Sequence, residues 1–166
     1  ARRCHVIGEL AATIRLVVLD VDGVLTDGRL WFGPDGELVK AFHVRDGAGI
    51  KALLGAGVEI AIISGRRSLA VERRAAELGI RHLRQGCDNK VVALRELLTE
   101  LAVPADATAC VGDDTPDLPM MALVALPIAV ADAHPDVLAA ARYVTRAAGG
   151  AGAVREVCDL LLDARA

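Results

Sequence analysis

A chain of 166 residues has room for one α/β domain with a substantial core and for little beside it. Hydrophobic residues make up 54% of it and aromatics only 2%, so Ala, Val, Leu and Ile must fill that core. The formal net charge of −3 gives no electrostatic footing for nucleic acid. No apolar run reaches membrane-span length and ARRCHVIGEL lacks the apolar stretch of a secretory signal, so the expectation is a cytoplasmic protein with no membrane partner.

Residues 1–13 carry no assignable signal. The run IRLVVLD then reads as a buried strand, β-branched and bounded by turn residues, and DVDG follows it at 20–23. Asp20 and Asp22 are two apart, so they project to one side if strand geometry persists. Two carboxylates that close repel unless a cation or a shared proton relieves them.

Residues 28–44 break the alternation of strands and helices. GPDG is a Pro-Asp-Gly turn between two strand-like arms, so the segment reads as an inserted β-hairpin. Its Trp31, Phe32 and Phe42 include the only Trp and both Phe residues of the chain. They pack either against another subunit or over their own domain; composition does not choose between these.

Helical spacing returns in AGIKALLGAG, and VEIAIIS gives a second strand ending at Ser64. SLAVERRAAELG is helical, and after the turn-like CDN a further helix opens at Lys90 in KVVALRELLTELAV. A Lys faces the positive end of the dipole there, which hints at an employed ammonium, although surface lysines often flout that preference. ATACVGD is a third strand, running into GDDTPD at 112–117, and ALPIAVA is a fourth. Residues 149–166 give a Gly-rich joint and a last helix with Val154, Val157, Cys158, Leu161 and Leu162 on one face. Cys4, Cys87, Cys110 and Cys158 are scattered, which argues against structural zinc and disulfides.

Alternating strands and helices predict a Rossmann-like parallel sheet flanked by helices, within a single domain spanning 1–166. Ligands bind at the carboxyl ends of such strands, where Asp20, Ser64 and Asp113 would converge. Any one of these Asp residues could be an N-cap or turn residue. Asp20, Asp22, Asp113 and Asp117 together offer the hard oxygens that Mg²⁺ prefers. With a metal present, Asp20 could attack phosphorus, Asp22 could move the proton, and Ser64 with the amides after it could hold phosphoryl oxygens.

DVDG, Ser64 within IISGR, Lys90 and GDDTPD, in that order, resemble the motifs of the haloacid dehalogenase superfamily of phosphohydrolases. The resemblance implies Asp20 as nucleophile, Asp22 as general acid/base, and Ser64 and Lys90 on the phosphoryl group. It implies Mg²⁺ on the carboxylates of Asp20 and Asp113 and the backbone carbonyl of Asp22, with Asp114 and Asp117 close behind. LDVDGVLTDG, FHVRDGAGI, IISGRRS, LGIRHLRQGCDNK, GDDTPDLPMM and GGAGAVREVCDLLL are similar to the 3-deoxy-D-manno-octulosonate 8-phosphate (KDO 8-phosphate) phosphatases of lipopolysaccharide biosynthesis. That family lacks a large cap domain, and no interval between the motifs here could hold one. Its members are homotetramers in which the hairpins assemble centrally and neighbours cover each site, which would make the hairpin an oligomerisation element. Gly65, Arg66 and Arg45 join the substrate-binding candidates; either Arg could instead be an ion-pair partner, for example of Asp46. Ala151 stands where the family tail usually carries a basic residue. A nine-carbon ulosonate 9-phosphate is the alternative substrate, and a non-catalytic assembly partner is the alternative outside the enzymes.

Overall fold

Every residue of Leu16–Leu19 (β1) is buried, and so is every residue of Thr108–Gly112 (β6) and of Leu126–Ala129 (β7). Glu59–Ile63 (β4) is buried from Ile60 onward. Strands covered on both faces belong to a parallel sheet sandwiched by helices. In the computed structural model, which describes residues 2–166, they form one with His82–Arg84 (β5) and Tyr143–Val144 (β8). Its order is β5-β4-β1-β6-β7-β8, and every pairing is parallel. The chain runs outward from β1 through β4 to β5, then returns across β1 to β6. That reversal opens a crevice between the carboxyl ends of β1 and β6.

The hairpin is narrower than its sequence suggests. Trp31–Gly33 (β2) and Gly36–Val39 (β3) pair antiparallel around Pro34 and Asp35, so 28–30 and 40–43 lie outside the ladder. Trp31 and Phe32 are more than half exposed, but Phe42 is not part of that patch. It packs against the core with the Arg74 guanidinium 6.0 Å from its ring centre.

Val44–Gly55 (α2), Leu69–Leu78 (α3), Lys90–Leu101 (α4) and Ala153–Asp163 (α7) fall where the spacing predicts helices. Leu118–Met121 (α5) and Pro135–Ala140 (α6) are short additions. Residues 2–13, unassigned from sequence, are a helix (α1) that packs on α7. Arg165 clasps that corner by donating to the carbonyls of Ala11 and Ile14. On α7, Val154, Val157, Cys158 and Leu161 are buried and Leu162 is partly so. The helix packs along α2, whose buried Asp46 carboxylate accepts the Arg155 N–H at 2.8 Å. This is an N-cap supplied by another helix, satisfying one of the donors that every helix start leaves open.

The Gly-rich joint has a local task. A Cβ on Gly149 would lie 1.7 Å from the Gly23 carbonyl oxygen, and the Gly150 N–H donates to Val24 O at 3.0 Å. The joint is therefore pressed against its own chain's loop after β1, and only a residue without a side chain fits. Its glycines buttress that loop, and Ala151, where the family tail usually carries a basic residue, is exposed.

Candidate active site

β1 ends at Leu19, and the chain turns through Val21–Leu25, closed by the Thr26 N–H on Val21 O at 3.1 Å. Strand geometry does not persist, yet Asp20 and Asp22 still line one pocket, because the turn bends Asp22 back over the strand end. Gly23 makes the bend possible at φ 92°, and a Cβ there would sit 2.0 Å from Asp113 Oδ2. Ser64, Gly65 and Arg66 reach the same pocket from the end of β4, Asp113, Asp114 and Asp117 from beyond β6, and Lys90 from the first turn of α4.

Lys90 is the cation facing the carboxylates at the strand ends. Its Nζ donates to Asp20 Oδ1 at 2.8 Å and to Asp117 Oδ1 at 2.7 Å. Asn89 caps α4 by accepting the N–H groups of Val91 and Val92, and this fixes where Lys90 starts. Burial disfavours the ammonium, but the Asp20 and Asp117 carboxylates outweigh it and hold its pKa above the usual lysine range. The second Asp117 oxygen accepts the N–H groups of Asp113 and Asp114 at 3.1 and 3.4 Å. Asp117 is thereby fully occupied as a brace, while Asp114 turns its carboxylate to the Thr115 N–H.

The remaining charge is unbalanced. Carboxylate oxygens of Asp20, Asp113 and Asp117 lie within 4.8 Å of one another, facing one lysine. Burial, then the Asp117 carboxylate, pushes Asp20 up to about 6 despite Lys90. Burial, then the carboxylates of Asp20, Asp117 and Asp114, pushes Asp113 up to about 8. Crowded oxygens that resist ionisation for want of positive charge suit a hard divalent cation. The residues present fit Mg²⁺, with Asp20 and Asp113 free to hold it.

The mouth of the pocket holds residues that sequence reasoning missed. Lys40 Nζ, at the end of the hairpin arm, lies 2.5 Å from Asp22 Oδ1 and 3.0 Å from Glu37 Oε2. Ser68 Oγ donates to Glu37 Oε1 at 2.5 Å. Arg66 Nε stands 3.8 Å from Asp22 Oδ2, with the guanidinium carbon 5.6 Å from the Phe32 ring centre. The hairpin thus touches its own chain's site, a role the resemblance had withheld from it. No local signal marks Lys40, since a Lys closing a hairpin arm ordinarily reads as a solvated residue.

Ser64 is buried, with its Oγ accepting the Arg66 N–H at 3.3 Å, so the SGR turn offers a hydroxyl and further backbone amides at the strand end. Arg45 is exposed on the first turn of α2, outside the residues lining this chain's pocket, and Asp46 beside it turns inward to α7.

The profile of the haloacid dehalogenase-like hydrolase family matches residues 84–156. The chain is 57% identical over 152 residues to the 3-deoxy-D-manno-octulosonate 8-phosphate phosphatase KdsC of Escherichia coli K12, covering 92% of this chain and 81% of that one. The crystal structure of the Yersinia pestis phosphatase superposes with a TM-score of 0.94 at 53% identity, covering 96% of this chain and 86% of that one. The Moraxella catarrhalis phosphatase, solved with magnesium, phosphate and KDO, superposes with a TM-score of 0.94 at 43% identity, covering 97% and 92%.

Proposed function

Because the chain belongs to the KDO 8-phosphate phosphatase family of haloacid dehalogenase-like hydrolases, we propose that it hydrolyses 3-deoxy-D-manno-octulosonate 8-phosphate to the free sugar acid and phosphate. The observation that carries this reading is the Asp20 carboxylate, buried at the switch point, locked to Lys90, and flanked by Asp113. The cofactor is Mg²⁺, which the carboxylates of Asp20 and Asp113, with the backbone carbonyl of Asp22, would hold. When bound it screens the repulsion between the Asp20 carboxylate and the phosphoryl oxygens.

Asp20 serves as nucleophile: one of its carboxylate oxygens bonds to phosphorus as the ester P–O bond breaks. Asp22 gives its proton to the departing sugar oxygen, so the alkoxide leaves as an alcohol. Asp22, then ionised, takes a proton from water as the water oxygen bonds to phosphorus. The bond between Asp20 and phosphorus breaks, phosphate leaves, and both carboxylates return to their starting states. Lys90 keeps Asp20 aimed throughout. Ser64, the Gly65 backbone and Arg66 hold the phosphoryl oxygens, and Asp117 and Asp114 brace the loop.

A KDO product would fit a place in lipopolysaccharide biosynthesis, and the exposed hairpin supports the homotetramer reading. Phosphate release should be measured with and without Mg²⁺ across eight-carbon and nine-carbon ulosonate phosphates and hexose phosphates. The expected result is a preference for the eight-carbon ester that EDTA removes and Asp20→Asn abolishes. Preference for a nine-carbon ester would replace the substrate, and no release from any ester would leave the binding-partner reading.

A further inference from the structure

We propose that Lys40 is a positioning residue for proton transfer, its ammonium fixing one oxygen of Asp22 so that the other is left to handle the proton. This rests on the phosphatase reading above. The two oxygens of Asp22 face different cations. Oδ1 meets Lys40 at 2.5 Å, and the Lys40 side chain is 1% exposed. Oδ2 meets Arg66 at 3.8 Å, and the Arg66 side chain is 44% exposed at the pocket mouth. A lysine buried that deeply stays where its partners hold it, because a buried charge is tolerated only when paired. Glu37 supplies the second partner at 3.0 Å and is itself pinned by Ser68.

Arg66 is held loosely by comparison. Its distances to Asp22 and Glu37 are 3.8 and 4.0 Å, and it lies over Phe32 with its side chain partly exposed. An incoming phosphate monoester competes for that guanidinium, since Arg pairs readily with phosphate. Drawing Arg66 away frees Oδ2 while Lys40 keeps Oδ1. The hairpin, 18 residues further along the chain, therefore sets the aim of the proton-transfer group.

Phenyl and p-nitrophenyl phosphate separate this role from a structural one, because both are aryl esters but only the far more basic phenoxide needs a proton to leave readily. With Mg²⁺ present, Lys40→Met should lower kcat/KM for the phenyl ester about 100-fold, in the range typical of general-acid help, and for the p-nitrophenyl ester far less. Lys40→Arg should recover most of the loss. In an Asp22→Asn background, Lys40→Met should add no further loss on either ester. Equal losses on both esters, full activity of Lys40→Met, or a further loss in the Asp22→Asn background would each overturn the proposal. If the unaltered chain releases phosphate from no ester, the phosphatase reading fails first and takes this proposal with it.

Discussion

Asp113 shows how much of the site is electrostatics rather than shape. Its carboxyl, raised from 3.8 to about 8, and that of Asp20, raised from 3.8 to about 6, bind protons more tightly in the folded chain than in the unfolded one. The sign follows directly: the folded state holds more protons, so stability falls as pH rises from the unfolded value through the folded one. Without metal, the melting temperature should therefore drop between about pH 4 and pH 8, and Asp113→Asn should flatten that slope. Mg²⁺ should raise the melting temperature more at the alkaline end, by ~2.7 kcal/mol of stability at a hundredfold excess over its dissociation constant. Scanning calorimetry with and without EDTA reads both effects, and an equal metal shift at every pH would contradict the assignment. Asp20 and Asp113 were legible because each follows a short apolar, strand-like run. Lys40 and Glu37 were not, since what makes them functional is the fold-back of a hairpin onto residues far away in sequence. Arg45 was offered either as a substrate contact or as a partner of Asp46; consecutive residues on a helix point different ways, and Asp46 turns to Arg155 instead.

Between elements, α2 and α7 are joined at Asp46. Burial raises its pKa against the Arg155 N–H bond and the charges of His43 and Arg74, so its ionised form costs stability once pH passes its folded value. Asp46→Asn keeps an acceptor for Arg155 and removes the buried charge, so it should leave stability at neutral pH unchanged or higher. Asp46→Ala strands the Arg155 N–H and should cost about 1–3 kcal/mol. Urea denaturation of the two variants distinguishes a cap from a charge effect; equal losses would mean that the hydrogen bond is unimportant. The long helices and the four central strands were legible from periodicity. β5 and β8, three and two residues long, are too short to show a period, and they exist only because neighbours already in the sheet offer edges to pair with. Helix α1 gave no signal in isolation; it is held by Arg165 and by the burial of Ala11.

At the scale of the whole molecule, Leu30, Trp31, Phe32 and Val39 leave an apolar face on the hairpin, each at least 41% exposed. Trp31 and Val39 are cross-strand partners there, and neither lines the pocket. If hairpins assemble subunits, Trp31→Asp should move sedimentation towards smaller species, and an unchanged coefficient would assign the patch to something other than self-association. The same hairpin reaches the site through Lys40, which directly follows Val39 in the chain. What unites residue, element and assembly is a two-step transfer through Asp20. The most direct test is the stereochemical course at phosphorus, followed with an isotopically chiral phosphate ester. Two in-line displacements predict overall retention of configuration; inversion would mean that water attacks the substrate directly and that Asp20 never bonds to phosphorus.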